Sequence, residues 1–158
     1  LTNNDIFQRL NTAFSFSRGD LVNIFALADF SATEEQVVAW LKQEDDGEFV
    51  EFSDSELATF LNGFINLKRG KRDGDQPKPE AHINNNMVLQ KLRIALNLKS
   101  EDILDVFELE NVHFSKHEVS AFFRKPNNKH YRECTDKTLS HFFQGIQSQL
   151  GLNEIDLD

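Results

Sequence analysis

The chain has a single cysteine, one tryptophan, one tyrosine and only three prolines among its 158 residues. One thiol, Cys134, excludes an internal disulfide and with it a secreted scaffold stapled by disulfides. No apolar run reaches the ~18–20 residues needed to span a bilayer. Residues 1–16 do not read as a secretory leader, because their apolar residues already follow a helical stripe. A cytoplasmic location is the expectation from these absences. There is no glycine-rich phosphate loop, nucleophile elbow or kinase signature. No catalytic residue and no cofactor is therefore expected.

What is present points to a helical core. Phenylalanine supplies 15 of the aromatic residues, and this purely apolar ring fills interiors rather than stacking ligands. With 39% hydrophobic and 27% charged residues, the composition fits a globular protein with charge left over for its surface. Few prolines and seven glycines leave long stretches free to form helices.

The dominant feature is an internal repeat. Each residue set beside the one 82 positions later gives 15 identities without a gap. Asn3 and Asn4 meet Asn85 and Asn86, and Gln8, Leu10 and Ala13 meet Gln90, Leu92 and Ala95. Asp20, Phe25 and Leu27 meet Asp102, Phe107 and Leu109; Val37 and Ala39 meet Val119 and Ala121. Glu51, Asp54, Leu57, Phe60 and Gly63 meet Glu133, Asp136, Leu139, Phe142 and Gly145. The organisation that follows is copy one at residues 1–69, a polar linker at 70–82, copy two at 83–151, and an acidic tail at 152–158.

Each copy reads as four helices. Ile6, Phe7, Leu10, Ala13 and Phe14 mark one face of a 3.6-residue period, repeated by Val88, Leu89, Leu92, Ala95 and Leu96. Asn4 and Asn86 are the expected N-caps of these first helices. The second helices are expected near 20–28 and 101–109, with Ser17-x-x-Asp20 as a capping box and Ser100 as the cap in copy two. Thr33-x-x-Gln36, Ser115-x-x-Glu118 and Ser53-x-x-Glu56 are further capping boxes. Gly63 and Gly145 fall inside the fourth helices, where glycine costs about 1 kcal/mol against alanine, so a close helix approach is expected there. The linker should be exposed and mobile. A 66-residue unit buries too little surface to be stable alone, so the copies are expected to pack together as a pseudo-twofold pair. The predicted fold is all-α, two tandem four-helix repeats.

Charge separates the copies. Residues 1–69 carry five Lys/Arg and twelve Asp/Glu, a net −7; residues 83–151 carry nine and eight, a net +1. The linker is neutral, with three of each sign, and the tail adds −3, for a total of −9. Thr33–Leu41 is similar to the start of a homeodomain recognition helix. Yet Gln43, Glu44, Asp45 and Asp46 stand where that motif needs an adenine-reading Asn and phosphate-binding Arg residues. Copy one is thus a poor nucleic-acid binder. In copy two, Lys116, Arg124, Lys125, Lys129 and Arg132, with His113, His117 and His130, cluster around the third helix and its loop. This is the candidate interaction patch, for an acidic protein or a nucleic acid. Two bland readings compete: a solvated polar loop, or a basic face that meets the acidic loop of copy one.

The repeat also filters other candidates. His113-x3-His117 and His130-x3-Cys134 have zinc-compatible spacings. Their copy-one counterparts are Ser31, Glu35, Glu48 and Phe52, so the fold needs no metal there and none is expected. Phe52 also places Cys134 in an apolar slot, where a thiol acts as a small hydrophobe and not as a nucleophile. The recurring Asp20/Asp102 and Asp54/Asp136 fall in first turns of helices, where free N–H groups stabilise negative charge.

Asn84-Asn85-Asn86, Leu92-Arg93-Ile94-Ala95, Arg132-Glu133-Cys134-x-Asp136, Phe60-Leu61-Asn62-Gly63-Phe64-Ile65 and Lys68-Arg69-Gly70 carry a resemblance. Over essentially its whole length the chain resembles the YehS-like family of small bacterial proteins, a tandem domain of unknown function. The resemblance implies a bacterial, cytosolic protein and supplies no activity, cofactor or partner. The residues themselves favour a non-enzymatic protein-interaction module. A nucleic-acid-associated regulator using a helix-turn-helix-like basic face of copy two is the alternative. An enzyme would need a pocket between the copies, lined by residues that break the repeat symmetry.

Overall fold

A computed structural model describes residues 1–157, with side chains through residue 151. The side chains of the acidic tail at 152–158 therefore lie outside the described residues. The helices are α1 (Asn3–Phe14), α2 (Arg18–Leu27), α3 (Glu34–Leu41), α4 (Asp54–Arg69), α5 (Asn85–Leu96), α6 (Ser100–Glu108), α7 (Lys116–Ala121) and α8 (Asp136–Leu157). There is no strand among the described residues. The fold is all-α, four helices per copy.

The capping chemistry sets most helix starts. The Ser17, Thr33, Ser53 and Ser115 side chains accept from the backbone N–H three residues on, and the Asp20, Gln36, Glu56 and Glu118 side chains accept in return. Three expected caps are corrected. Thr2 and Asn84 cap α1 and α5, not Asn4 and Asn86, which lie two residues further in and are buried. Lys99 holds the cap position of α6, and Ser100 is the first helical residue; the Lys99 N–H donates to Asp102 at 2.8 Å. Lysine has no short oxygen for capping, so Asp102 alone stabilises this start. Asp20 does the same for Ser17 at 2.8 Å, which explains why this carboxylate recurs.

The two copies join through four helices. α4 packs on α5, and α1 packs on α8, so the first helix of each copy lies on the fourth helix of the other. The crossing is pseudo-symmetric at atomic detail. The Ile83 N–H donates to Asp54 at 3.2 Å, and the equivalent Leu1 nitrogen donates to Asp136 at 2.6 Å. Arg9 reaches the Ser140 carbonyl at 3.2 Å, and its counterpart Lys91 reaches Asn62 at 2.7 Å. A single apolar cluster runs through both copies.

Inside each copy the second helix lies across the fourth at a glycine. A methyl group at Gly63 would sit 2.0 Å from the Ile24 carbonyl oxygen, and one at Gly145 would sit 2.3 Å from that of Val106. Ile24 and Val106 are themselves 82 positions apart, so the expected close approach is present twice. Eight phenylalanines are less than 2% exposed, as core-filling rings should be. Copy one closes its core with Phe52, whose ring lies 4.8 Å from Trp40 and 6.2 Å from Phe25. Cys134 leaves that slot small in copy two. The lost volume returns from another position: Phe114, opposite Ala32 of copy one, lies 4.9 Å from Phe107 and 5.5 Å from Phe122. Those are the equivalents of Phe25 and Trp40, two of the three rings Phe52 meets, so an aromatic ring enters the copy-two core from a different position.

The linker is exposed over residues 70–75. Beyond that it is tied to both copies. Asn66 donates to Gln76 at 2.7 Å, and Lys91 lies 2.9 Å from Glu80.

Candidate functional site

The recurring Asn-Asn pair builds the surface that matters most. Asn4 donates to the Trp40 and Val50 carbonyls at 3.0 and 2.9 Å, and its oxygen accepts from the Phe52 N–H at 2.9 Å. Asn86 repeats all three bonds, to the Phe122 and Arg132 carbonyls at 3.0 and 2.8 Å and from the Cys134 N–H at 2.9 Å. One buried amide thus ties both ends of the loop after the third helix to the first helix. Asn3 and Asn85 add bonds to Asp54 and Asp136 at 2.7 and 2.8 Å, which accounts for those two aspartates. The loop arm between its tied ends stays exposed.

Between that arm and the flank of the first helix lies a groove, and it is built twice. In copy one it encloses about 430 Å³ and is lined by Asp5, Gln8, Lys42, Glu44, Phe49 and Glu51, with Asn4 at its base. In copy two the equivalent groove encloses about 310 Å³ and is lined by Met87, Gln90, Arg124, Pro126 and Tyr131, with Asn86 at its base. Ile94 and Phe123 extend it, and Ile65 of α4 and Glu80 of the linker close one end. Gln8/Gln90 and the aromatic Phe49/Tyr131 are common to both. Asp5 and Glu44 give way to Met87 and Pro126, while Glu51 is kept as Glu133 in an adjoining hollow, so the copy-two groove has two carboxylates replaced by apolar side chains.

The polar groups of the copy-two groove have distinct states. Lys91 is neutralised: Glu80 lies 2.9 Å away and Asn62 accepts at 2.7 Å. Arg124 is exposed, with no carboxylate partner among the described residues. Burial, then the nearby Glu133 and Cys134, push the Tyr131 hydroxyl up, so it remains a hydrogen-bond donor. Ile94 is 45% exposed, a large apolar side chain left uncovered beside the groove.

The candidate patch does not form one cluster of free cations. Lys116 lies 2.5 Å from Glu101. Arg132 lies 3.1 Å from Glu118, and its guanidinium covers the rings of Phe114 and Phe122 at 5.3 and 5.5 Å. Arg132 therefore packs as much as it charges the surface. Arg124 points to the groove, while Lys125 and Lys129 occupy the exposed loop. The ion pairs of this face are all within copy two, so the basic face is not neutralised by the acidic loop of copy one.

The remaining sequence candidates are placed as follows. α3 stops at Leu41 and α7 at Ala121, so neither continues into a helix that could enter a DNA groove. The His117 and His130 rings face each other at 5.8 Å on the exterior. Cys134 is buried, its thiol 3.7 Å from the Thr135 carbonyl, and burial, then the Asp136 charge, push its pKa up to about 12. No group of three or more His, Cys, Asp or Glu among the described residues is arranged to hold a metal ion. No described helix is long and apolar enough to cross a membrane. Sequence reasoning missed the groove residues Met87, Gln90, Ile94, Phe123 and Tyr131. One signal was available: Ile94 is apolar yet lies off the stripe that buries α5.

Comparison with known proteins agrees with the repeat. The chain is similar to the uncharacterized protein YehS of Escherichia coli (strain K12), 41% identical over 151 residues, covering 94% of this chain and 96% of that protein. No solved structure matches it. Residues 3–70 and 85–150 each match the family described as protein of unknown function DUF1456, and the chain belongs to that family.

Proposed function

We propose that the protein is a non-enzymatic binding module whose copy-two groove holds a short segment of an acidic protein partner. The carrying observation is the divergence of one groove on two equivalent frameworks. Copy one lines it with Asp5 and Glu44; copy two replaces them with Met87 and Pro126 and adds exposed Ile94 beside the uncompensated Arg124. Such a groove favours an apolar side chain over Met87, Ile94 and Phe123 and a carboxylate at Arg124. The groove does lie at the junction of the copies, as a catalytic pocket would. The ion pair and hydrogen bond that hold Lys91 to Glu80 and Asn62 favour the binding reading.

A displayed random-peptide library is the test. Selection should enrich segments that combine acidic and large apolar residues. Their affinity should fall at least tenfold in Met87→Glu and in Arg124→Glu. Enrichment of nothing, or of peptides that bind both variants as well as the parent, refutes the reading.

A second reading rests on Arg124, Lys125 and Lys129, none of which has a carboxylate partner among the described residues. These cations fit a phosphate backbone. DNA or RNA binding by this face should fall steeply with salt and vanish on charge reversal at Arg124 and Lys125. Lack of binding at low ionic strength removes it.

A further inference from the structure

The charge difference between the copies is confined to one surface. Residues 31–51, the third helix and its loop, carry seven acids and one base, a net −6. The equivalent residues 113–133 carry two acids and five bases, a net +3. Outside these segments the copies are nearly alike, at −1 and −2. Their backbones are built alike. Both helices start on capping boxes, and Asp46 and Asn128 make the same loop turn, accepting from the Glu48 and His130 N–H groups at 2.8 Å. The Val50 and Arg132 N–H groups close both loops onto Ala39 and Ala121 at 3.2 and 3.1 Å.

Acidic side chains of copy one are replaced by lysine or imidazole side chains at matched places on this frame, Lys116 also lying against Glu101. Glu34 and Glu35 of α3 correspond to Lys116 and His117 of α7. Glu35 and Glu48 line one shallow hollow, and their counterparts His117 and His130 face each other at 5.8 Å. All six side chains are exposed. No ion pair joins the two faces within a chain, among the described residues, and Val50 adds a 49% exposed apolar side chain to the acidic one.

We infer that the partner of each face is the opposite face of a second copy of this chain: the acidic third-helix face of copy one docks on the basic third-helix face of copy two. Two like surfaces meeting about a twofold axis match in shape but repel if both carry one charge. Here the shape is shared and the sign is reversed, which removes the repulsion and fixes which face meets which. The groove shares the Phe123–Tyr131 segment with the basic face, but Lys116, Lys129, Glu34, Glu35, Asp45 and Glu48 do not line it. Each bound molecule keeps one face of each sign, so association either closes a ring or extends a chain.

Sedimentation equilibrium on the full chain tests this. The average mass should rise with concentration at about 50 mM salt and return to that of a monomer near 0.5 M, where charges are screened beyond roughly 4 Å. Glu34→Lys/Glu35→Lys/Asp45→Lys/Glu48→Lys takes the acidic face from −6 to +2, and Lys116→Glu/Lys129→Glu takes the basic face from +3 to −1, so each variant carries two faces of one sign. Each variant alone should be monomeric at low salt, and their equimolar mixture should associate again. Thermal melting near the parent value confirms that each variant is folded. Because restoration in the mixture needs both chains folded, it cannot come from unfolding. A parent that stays monomeric at low salt, association insensitive to salt, or a mixture that fails to restore it overturns the inference. Met87→Glu should leave association unchanged, which separates this result from peptide binding in the groove.

Discussion

Replacing Gly63 by alanine places intrinsic helix preference against packing. In an unobstructed helix interior the change would stabilise by about 0.8–1 kcal/mol. At Gly63 the added methyl lies 2.0 Å from the Ile24 carbonyl oxygen and 2.9 Å from its carbon. An ordinary contact of this kind needs about 3.3–3.6 Å, so α2 must retreat from α4 by more than an ångström. The obstacle is backbone, which cannot rotate away as a side chain can. Overpacking costs about 1–3 kcal/mol and sometimes more, which exceeds the helix gain. Because the immovable backbone places the cost at the upper end of that range, the net effect should be a loss of about 2 kcal/mol, or a melting temperature roughly 4–8 °C lower for a chain of this size. Gly145→Ala should behave alike, with its methyl 2.3 Å from the Val106 oxygen. Gly19→Ala is the control: its methyl meets Ser17 Oγ at 3.8 Å, an ordinary contact, and the change should stabilise slightly. Calorimetric or dichroism melting of the three variants decides the matter. A Gly63→Ala protein that melts at or above the parent temperature would refute the close-approach account of both glycines.

Asn4→Ala and Asn86→Ala should each cost about 2–4 kcal/mol in denaturant unfolding, because each strips three backbone groups of a buried partner; a loss below about 1 kcal/mol would show that water replaces the amide. Cys134 should resist a thiol reagent in the native chain and react fully once unfolded; fast native labelling would place the thiol at the surface. Its pKa is raised from 9.0 to about 12, so its neutral form is favoured in the folded state. The stabilising effect is fully present below pH 9 and is lost as pH climbs towards 12. Cys134→Ala should accordingly lose less stability than the parent across that alkaline range in urea titrations at stepped pH.

The repeat made much of the fold legible. Four of the capping boxes, the core stripes and the glycine crossings all follow local rules that a sequence displays directly. Asn4 and Asn86 were misread because an Asn before an apolar stripe satisfies the N-cap pattern, and their true partners lie 36–48 residues away. Nothing local distinguishes a cap from a long-range tether. Lys99 failed for the opposite reason, since Ser100 is the better capping residue and only the chain's path places Lys99 there. The groove was invisible because a concave surface depends on where the Arg124–Tyr131 arm stands relative to α5. Neither segment encodes that spacing alone. The basic patch was found by charge, but Arg132 and Lys116 proved to be paired, which only side-chain geometry reveals.

Duplication supplies an internal control that a single-copy protein lacks. Several residues that both copies keep have a structural role. Asn4 and Asn86 tie the loops, Asp54 and Asp136 receive the chain entering the opposite copy, and Gly63 and Gly145 admit a neighbouring helix. Where the copies differ inside, the change is compensated, as Phe114 makes up for Cys134. On the helix-three face and in the groove the copies differ without compensation: net charge reverses in one, and in the other Asp5 and Glu44 give way to Met87 and Pro126. Folding does not demand either difference, since the same backbone tolerates both versions within one chain. The two surfaces proposed above as binding sites are ones that the fold leaves free, each diverged in one chemical direction. The charge-swapped pair and the groove variants test those two surfaces separately, so either can fail while the other stands.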